Sequence, residues 1–298
     1  MTVKSGVRPG RLLSPLVALV RGRYPGRGMI LAGLSIIVFF TVMALLAPYI
    51  APYEPTELAV PLEKAAEPQP PSLEHPMGTT NIGYDLFSRI LYGSRVVIYV
   101  VITASLFSLL LGVPLGLISG YYGGTLDRLL SMVMDSIYSF PGIILAIAIA
   151  SVLGPSPNNA AVALAVVYVP TYYRMVRGQT LKLRESVFVE ALKSLGYPDR
   201  IILFKHILPN TAPVILVVFG LGAADAILTE AGLSFLGLTV QAPEPDWGYD
   251  LYNGLSDFRS GYWWTVFFPG LMIMLLALGF ALLGEGLAER LAIRVERD

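Results

Sequence analysis

Residues 190–210 read EALKSLGYPDRIILFKHILPN, a charged stretch between long apolar runs. From Arg184 onward the apolar positions Phe188, Ala191, Leu192 and Leu195 recur at i, i+3, i+4 and i+7, with Glu190 among them. That spacing predicts one stripe on a short amphipathic helix. Gly196 follows directly, where a helix C-terminus favours a residue tolerant of positive φ. Pro198 suits the first turn of a second helix, because no amide hydrogen is needed there, and Asp199 favours that helix's positive end. Ile201, Phe204 and Leu208 give the second helix an apolar face, and Pro209 is read as its stop. Two short helices with a fixed bend are therefore expected. They either pack on the inner ends of neighbouring spans or dock in a groove on a partner, apolar anchors inward and charges at the rim. Spacing alone does not choose.

The surrounding chain sets the context for this loop. Of its 298 residues, 55% are hydrophobic and 14% charged, with a mean hydropathy of +0.65. Soluble domains carry about 25% charged residues. The deficit and the long apolar runs indicate an all-α polytopic membrane protein. The formal net charge of zero hides strong segregation of charge along the chain. Cysteine is absent, which excludes thiolate and disulfide chemistry. The only histidines, His75 and His206, fall on opposite sides of the expected membrane, so no metal site is expected from them.

Six apolar segments, at about 29–50, 96–120, 126–153, 160–175, 211–231 and 266–287, are read as transmembrane helices, the fourth being the shortest. None shows the period-two alternation of a barrel strand. Lys4, Arg8, Arg11, Arg21, Arg23 and Arg27 precede the first span. Arg174, Arg177, Lys182, Arg184, Lys193, Arg200 and Lys205 lie between the fourth and fifth, and Arg290, Arg294 and Arg297 follow the sixth. By contrast, 52–80 holds only Lys64 and 233–264 only Arg259. The positive-inside rule then places both termini and the four–five loop in the cytoplasm. Trp247, Trp263 and Trp264 fall on the outer side, where interfacial anchoring is expected. Ala44-Leu-Leu-Ala47 has the look of a signal-cleavage site, but the apolar run is long and the basic lead extended, so a retained first span is expected.

The expected organisation is a cytoplasmic segment 1–28, a first span 29–50, an extracytoplasmic linker 51–94, a five-helix core 95–289 containing the loop 184–209, and a tail 290–298. Gly112, Gly116 and Gly120 share a helix face and invite close backbone approach, read as internal packing. Asp135, Asp225 and Glu230 are charges inside spans, each either a pathway or gating residue or a buried anchor. Pro141 and Pro170 are expected to kink the third and fourth spans.

The segment 190–210 resembles the EAA loop of ABC importer permeases: Glu-Ala-Ala, three residues, Gly, nine residues, Ile-x-Leu-Pro. The match falls on Glu190, Ala191, Gly196, Leu208 and Pro209, with departures at Leu192 and His206. Further runs are similar to segments of the dipeptide/oligopeptide branch. They are HPMGTTNIGYD at 75–85 with Ser88, Arg89 and YGSR at 92–95, SFPG at 139–142 and VRGQ at 176–179. EAGLSFLGL at 230–238, Trp247-Gly248, Pro269-Gly270 and LGEGL at 283–287 complete them. The outer motif departs at Thr80 and Tyr84, where aspartate and arginine are usual. The short linker after the first span resembles the second, C-type permease of the pair.

The resemblance implies a type I importer permease fold in the inner membrane of a prokaryote. It implies that Phe188, Glu190, Ala191, Leu192, Leu195, Gly196, Leu208 and Pro209 form a coupling helix inserted into an ATPase subunit. The expected partners are a second permease, two cytoplasmic ABC ATPases, a solute-binding protein and membrane lipid, with no nucleic acid. ATP and Mg²⁺ are expected in the ATPases and no cofactor in this chain. No G-x-x-x-x-G-K-[S/T], G-x-S-x-G or H-E-x-x-H occurs, so catalysis by this chain is not expected. The alternatives are an ion-coupled secondary transporter, which would call for an inverted repeat that the two halves do not display, and a membrane scaffold.

Overall fold

The computed structural model describes residues 26–61 and 67–295; the basic positions before Gly26, Lys64 and Arg297 lie outside the described residues. Its helices are α1 (Arg27–Ile50), α2 (Leu86–Tyr122), α3 (Gly124–Tyr138), α4 (Gly142–Leu153), α5 (Pro157–Arg184), α6 (Val187–Ser194), the short α7 (Asp199–Ile201), α8 (Leu208–Phe235), α9 (Trp247–Arg259) and α10 (Trp264–Val295). A π-helical segment, Ile202–Ile207, joins α7 to α8. Among the described residues the only β pairing is an isolated bridge between Thr79 and Asp85.

Among the described residues four helices are each long and apolar enough to cross a membrane: Arg27–Ile50, Leu86–Tyr122, Asp199–Phe235 and Trp264–Leu291. The expected third span is instead two helices, α3 and α4, meeting at 87°. The break falls at Ser139 and Phe140, directly before Pro141, which is the N-cap of α4. Proline disfavours helical backbone in the residue before it and has no amide to continue the ladder. Pro170 has a weaker effect, since α5 runs through it unbroken. At 28 residues α5 is long enough to cross, but Asn158, Asn159, Arg174, Arg177, Lys182 and Arg184 dilute its apolar stretch. The six-span expectation thus becomes four clear spans, one broken span and one long polar helix.

Two glycine seams set the packing. On α2, a Cβ at Gly112, Gly116 or Gly120 would approach the carbonyl oxygens of Val169, Tyr173 and Arg177 to 2.8, 2.6 and 2.8 Å. Glycines four apart therefore meet carbonyls four apart on α5, and α2 packs on α5 more extensively than any other helix pair. The second seam joins α1 to α10, where a Cβ at Gly33 would lie 2.5 Å from the Gly279 oxygen and one at Gly286 2.8 Å from that of Gly26. The first helix is thereby fastened to the last.

The end of the bundle expected to lie outside is closed by α9 and the segment before α2. Trp247 is fully buried and its Nε1 donates to the Ile90 oxygen at 3.0 Å. Trp264 is also buried, donating to the Thr79 oxygen at 3.2 Å. Of the three tryptophans expected at the membrane interface, only Trp263 is exposed. The other two found backbone acceptors inside the protein, which satisfies an indole without water. The outer linker is likewise tied down where described: Val60 is buried and its amide donates to Gly83.

Candidate functional site

The loop between α5 and α8 has the expected bend. Gly196 has φ 77°, its amide donates to the Lys193 oxygen at 2.9 Å, and the Tyr197 amide donates to the Leu192 oxygen at 3.1 Å. These two bonds form a Schellman motif, in which the αL residue lets the chain turn back while satisfying the last helical carbonyls. No atom lies within 4 Å of where a Gly196 Cβ would sit, so glycine is required by backbone conformation rather than by crowding.

Two apolar faces emerge where the spacing indicated one. Val189 is fully buried, and Leu192 packs beside it against the bundle rather than joining the outward stripe. Phe188, Ala191 and Leu195 point away together with Val187, the latter two 74% and 82% exposed. Beyond the bend, Ile202, Leu203 and Ile207 are buried while Tyr197, Ile201 and Phe204 are exposed. The exposed apolar side chains are rimmed by Glu190, Lys193, Asp199, Arg200 and Lys205, all exposed. Pro209 is not a stop. It occupies the first turn of α8, and the helix from Asp199 runs on to Phe235. A proline there sacrifices little, and the π segment absorbs the change of register; the Asn210 side chain donates to the His206 oxygen at 2.7 Å.

Tyr121, which periodicity did not single out, ties both arms of the loop to α2. Its hydroxyl donates to Asp199 Oδ1 at 2.6 Å, and Lys193 Nζ lies 5.0 Å from its ring centre. Arg177 makes a bidentate pair with Asp127, Nε to Oδ1 at 2.5 Å and a terminal nitrogen to Oδ2 at 2.7 Å. The same carboxylate accepts from Ser119, and Tyr173 bridges Ser119 and Ser131, joining α2, α3 and α5.

The four intramembrane candidates separate into two groups. Asp135, Pro141 and Asp225 lie at the broken helix. Asp135 is exposed on α3, not buried, and pairs with Arg174 at 3.0 Å. Asp225 is exposed on α8, accepts from the Tyr168 hydroxyl at 2.7 Å, and lines a concavity of about 330 Å³ at the break. Glu230 does not join them. It is fully enclosed at the outer end of α8, facing Asp246 and Thr239, with neither oxygen meeting a donor at hydrogen-bonding geometry. Nothing passing along the concavity would touch it.

Around Glu230 the outer layer is rich in enclosed charge. Asp246 accepts from Ser234 and from the Gly248 amide, capping α9. Burial pushes its carboxyl up to about 6, against those two hydrogen bonds. Asp250 is raised by burial and pulled back by Arg89, whose Nε donates to it at 2.8 Å. Arg89 also donates to the carbonyls of Pro243 and Glu244. His75 meets Asp85 at 3.0 Å, and Asp85 caps α2 through Ser88. Among the described residues no three His, Cys, Asp or Glu side chains converge as metal ligands would.

Comparison with known proteins completes the description. Residues 112–295 match the family model described as binding-protein-dependent transport system inner membrane component. Residues 28–71 match the N-terminal transmembrane domain of oligopeptide transport permease C. The chain is 43% identical over 261 residues to the dipeptide transport system permease protein DppC of Alkalihalophilus pseudofirmus, covering 88% of this chain and 84% of the relative. It is 39% identical to the glutathione transport system permease protein GsiD of Pectobacterium atrosepticum, covering 87% and 85%. It is 35% identical to the probable D,D-dipeptide transport system permease protein DdpC of Escherichia coli K12, covering 96% and 95%. The chain belongs to the family of binding-protein-dependent transport system inner membrane components.

Proposed function

We propose that this chain is one of two different permease subunits of an ATP-driven importer for peptides or similar small solutes. Its six helical segments cross the inner membrane, with both termini and the loop 184–209 cytoplasmic. Two ATPase subunits hold the ATP and Mg²⁺, and an outer solute-binding protein delivers the cargo. The relatives' names supply the cargo class.

One observation carries the docking reading. Val187, Phe188, Leu195, Ile201 and Phe204 are exposed on a loop whose backbone is fixed by a Schellman bend and whose rim is charged. Apolar anchors held rigid and ringed by charge form a helix-in-groove surface. ATP-driven closure of the ATPases would displace this loop, and α5 and α8 would carry the displacement into the membrane. The test is to purify the complex from native membranes with Phe188 and Leu195 both replaced by Asp. The ATPases should be lost while this chain still inserts beside the second permease. Retention of both ATPases at wild-type stoichiometry would refute docking at this surface.

A further inference from the structure

One exposed carboxylate at membrane depth has no cation to meet it among the described residues. Asp225 lies past the middle of α8 and shares an exposed face with Leu221 and Leu228. An ionisable group in such an apolar band persists where it faces a water-filled path, a partner or a ligand. Among the described residues no Arg, Lys or His nitrogen lies within 4.0 Å of it, although Asp127, Asp135 and Asp250 each have an arginine. Its Oδ2 is held by the Tyr168 hydroxyl, which also lies 3.0 Å from Thr229 Oγ1. Its Oδ1 makes no bond among the described residues. The carboxylate is therefore aimed and half free.

It opens into the concavity at the α3–α4 break, whose wall includes Tyr138, Phe140, Gly142 and Thr171. At about 330 Å³ the space exceeds what a bare ion or a single water needs, a water occupying roughly 30 Å³ of bulk liquid. A metal ion would also want several oxygen ligands, which the wall does not gather. Aromatic faces beside a carboxylate suit an organic cation. Tyr138 is shared: it lines the concavity and carries the Arg174 guanidinium 4.1 Å from its ring centre. Arg174 and Asp135 neutralise each other, which leaves the concavity with the negative charge of Asp225.

We propose that this concavity is a station for the solute within the membrane, where Asp225 receives a primary ammonium group of the cargo. The inference rests on the importer reading and adds where the amino end is held.

The experiment is a cycle between side chain and solute. The complete transporter is reconstituted in vesicles with its binding protein, and ATP-driven uptake is measured for alanine peptides of two to five residues, free or N-acetylated. Acetylation removes the ammonium. The ratio of free to acetylated uptake in the wild type contains any preference of the binding protein, and the same ratio in Asp225→Asn contains that preference alone. The quotient should be about tenfold or more, the scale of one sheltered charge-assisted hydrogen bond. Asp225→Glu should recover part of it. An unchanged ratio, or equal loss of both solutes from an assembled complex, overturns the site. Loss of the second permease from the purified Asp225→Asn complex also overturns it, assigning the carboxylate to the subunit interface. If the wild type takes up none of these peptides, the peptide reading fails and the station fails with it. Uptake with an unchanged ratio removes the station alone.

Discussion

At the outer end of the bundle Trp247, Trp264, Arg89, Asp246 and Asp250 are buried, whereas at the inner end Phe188, Leu195, Phe204, Glu190 and Arg200 are exposed. Both ends use aromatic, acidic and guanidinium side chains. Outside, indoles find carbonyls and Arg89 finds a carboxylate and three carbonyls, and Glu230 is enclosed without a donor. Inside, the backbone is satisfied but the side chains are not. A surface with ordered backbone and unspent apolar side chains is shaped for another molecule. On the proposed docking reading, one end is a lid over the helices and the other a handle.

The largest expected effect comes from opening the lid. Arg89→Met strands Asp250 in a buried position, and removing one member of such a pair costs about 3–5 kcal/mol. Thermal unfolding in detergent should fall sharply, with α9 losing protection first. If Arg89→Met unfolds like the wild type, the outer layer is not held by that pair. At the handle, Gly196→Val forces a β-branched residue to φ 77°, a strain of about 1–2 kcal/mol. Global stability should change little, because the site is open, yet solute-stimulated ATP hydrolysis should fall. Intact coupling in this variant would dispose of the rigid bend.

The lid should also show a pH dependence of its own. Asp246 holds its proton up to about pH 6 in the folded chain, whereas its ordinary value is 3.8. Between those values the folded state binds a proton that the unfolded chain has lost, so this group's contribution to stability falls as pH rises through that window and is flat above it. Hydrogen exchange in α9 should therefore quicken from pH 4 to pH 6, after correction for intrinsic exchange, relative to Asp246→Asn. Parallel profiles for the two proteins would remove Asp246 as the cause.

The sequence displayed what repeats along one helix. The apolar runs, the glycines four apart on α2 and the αL requirement at Gly196 all have local signatures, and the family motifs pointed to the transport class. It concealed what is made between helices. Nothing in the spacing links Arg177 to Asp127 fifty residues away, or Tyr121 to Asp199. Val189 escaped notice because a helix of eight residues with two apolar faces reads as one stripe. Nothing in the sequence around Trp247 points to Ile90, whose carbonyl holds the buried ring. Pro141 announced a bend but not its 87°, because proline fixes a local restriction while the neighbours choose the angle. Asp135 looked expensive because the span was imagined inside the bundle; α3 lies on its surface.

The α2–α5 glycine seam has a mechanical consequence. With backbone against backbone at three successive levels, the two helices have almost no side-chain cushion between them to deform. At one end α2 carries the carbonyl that holds Trp247, and at the other the hydroxyl that holds Asp199. The pair is thus built as a single stiff rod, and a tug on its Tyr121 end would arrive at its Ile90 end as displacement instead of being lost as compression.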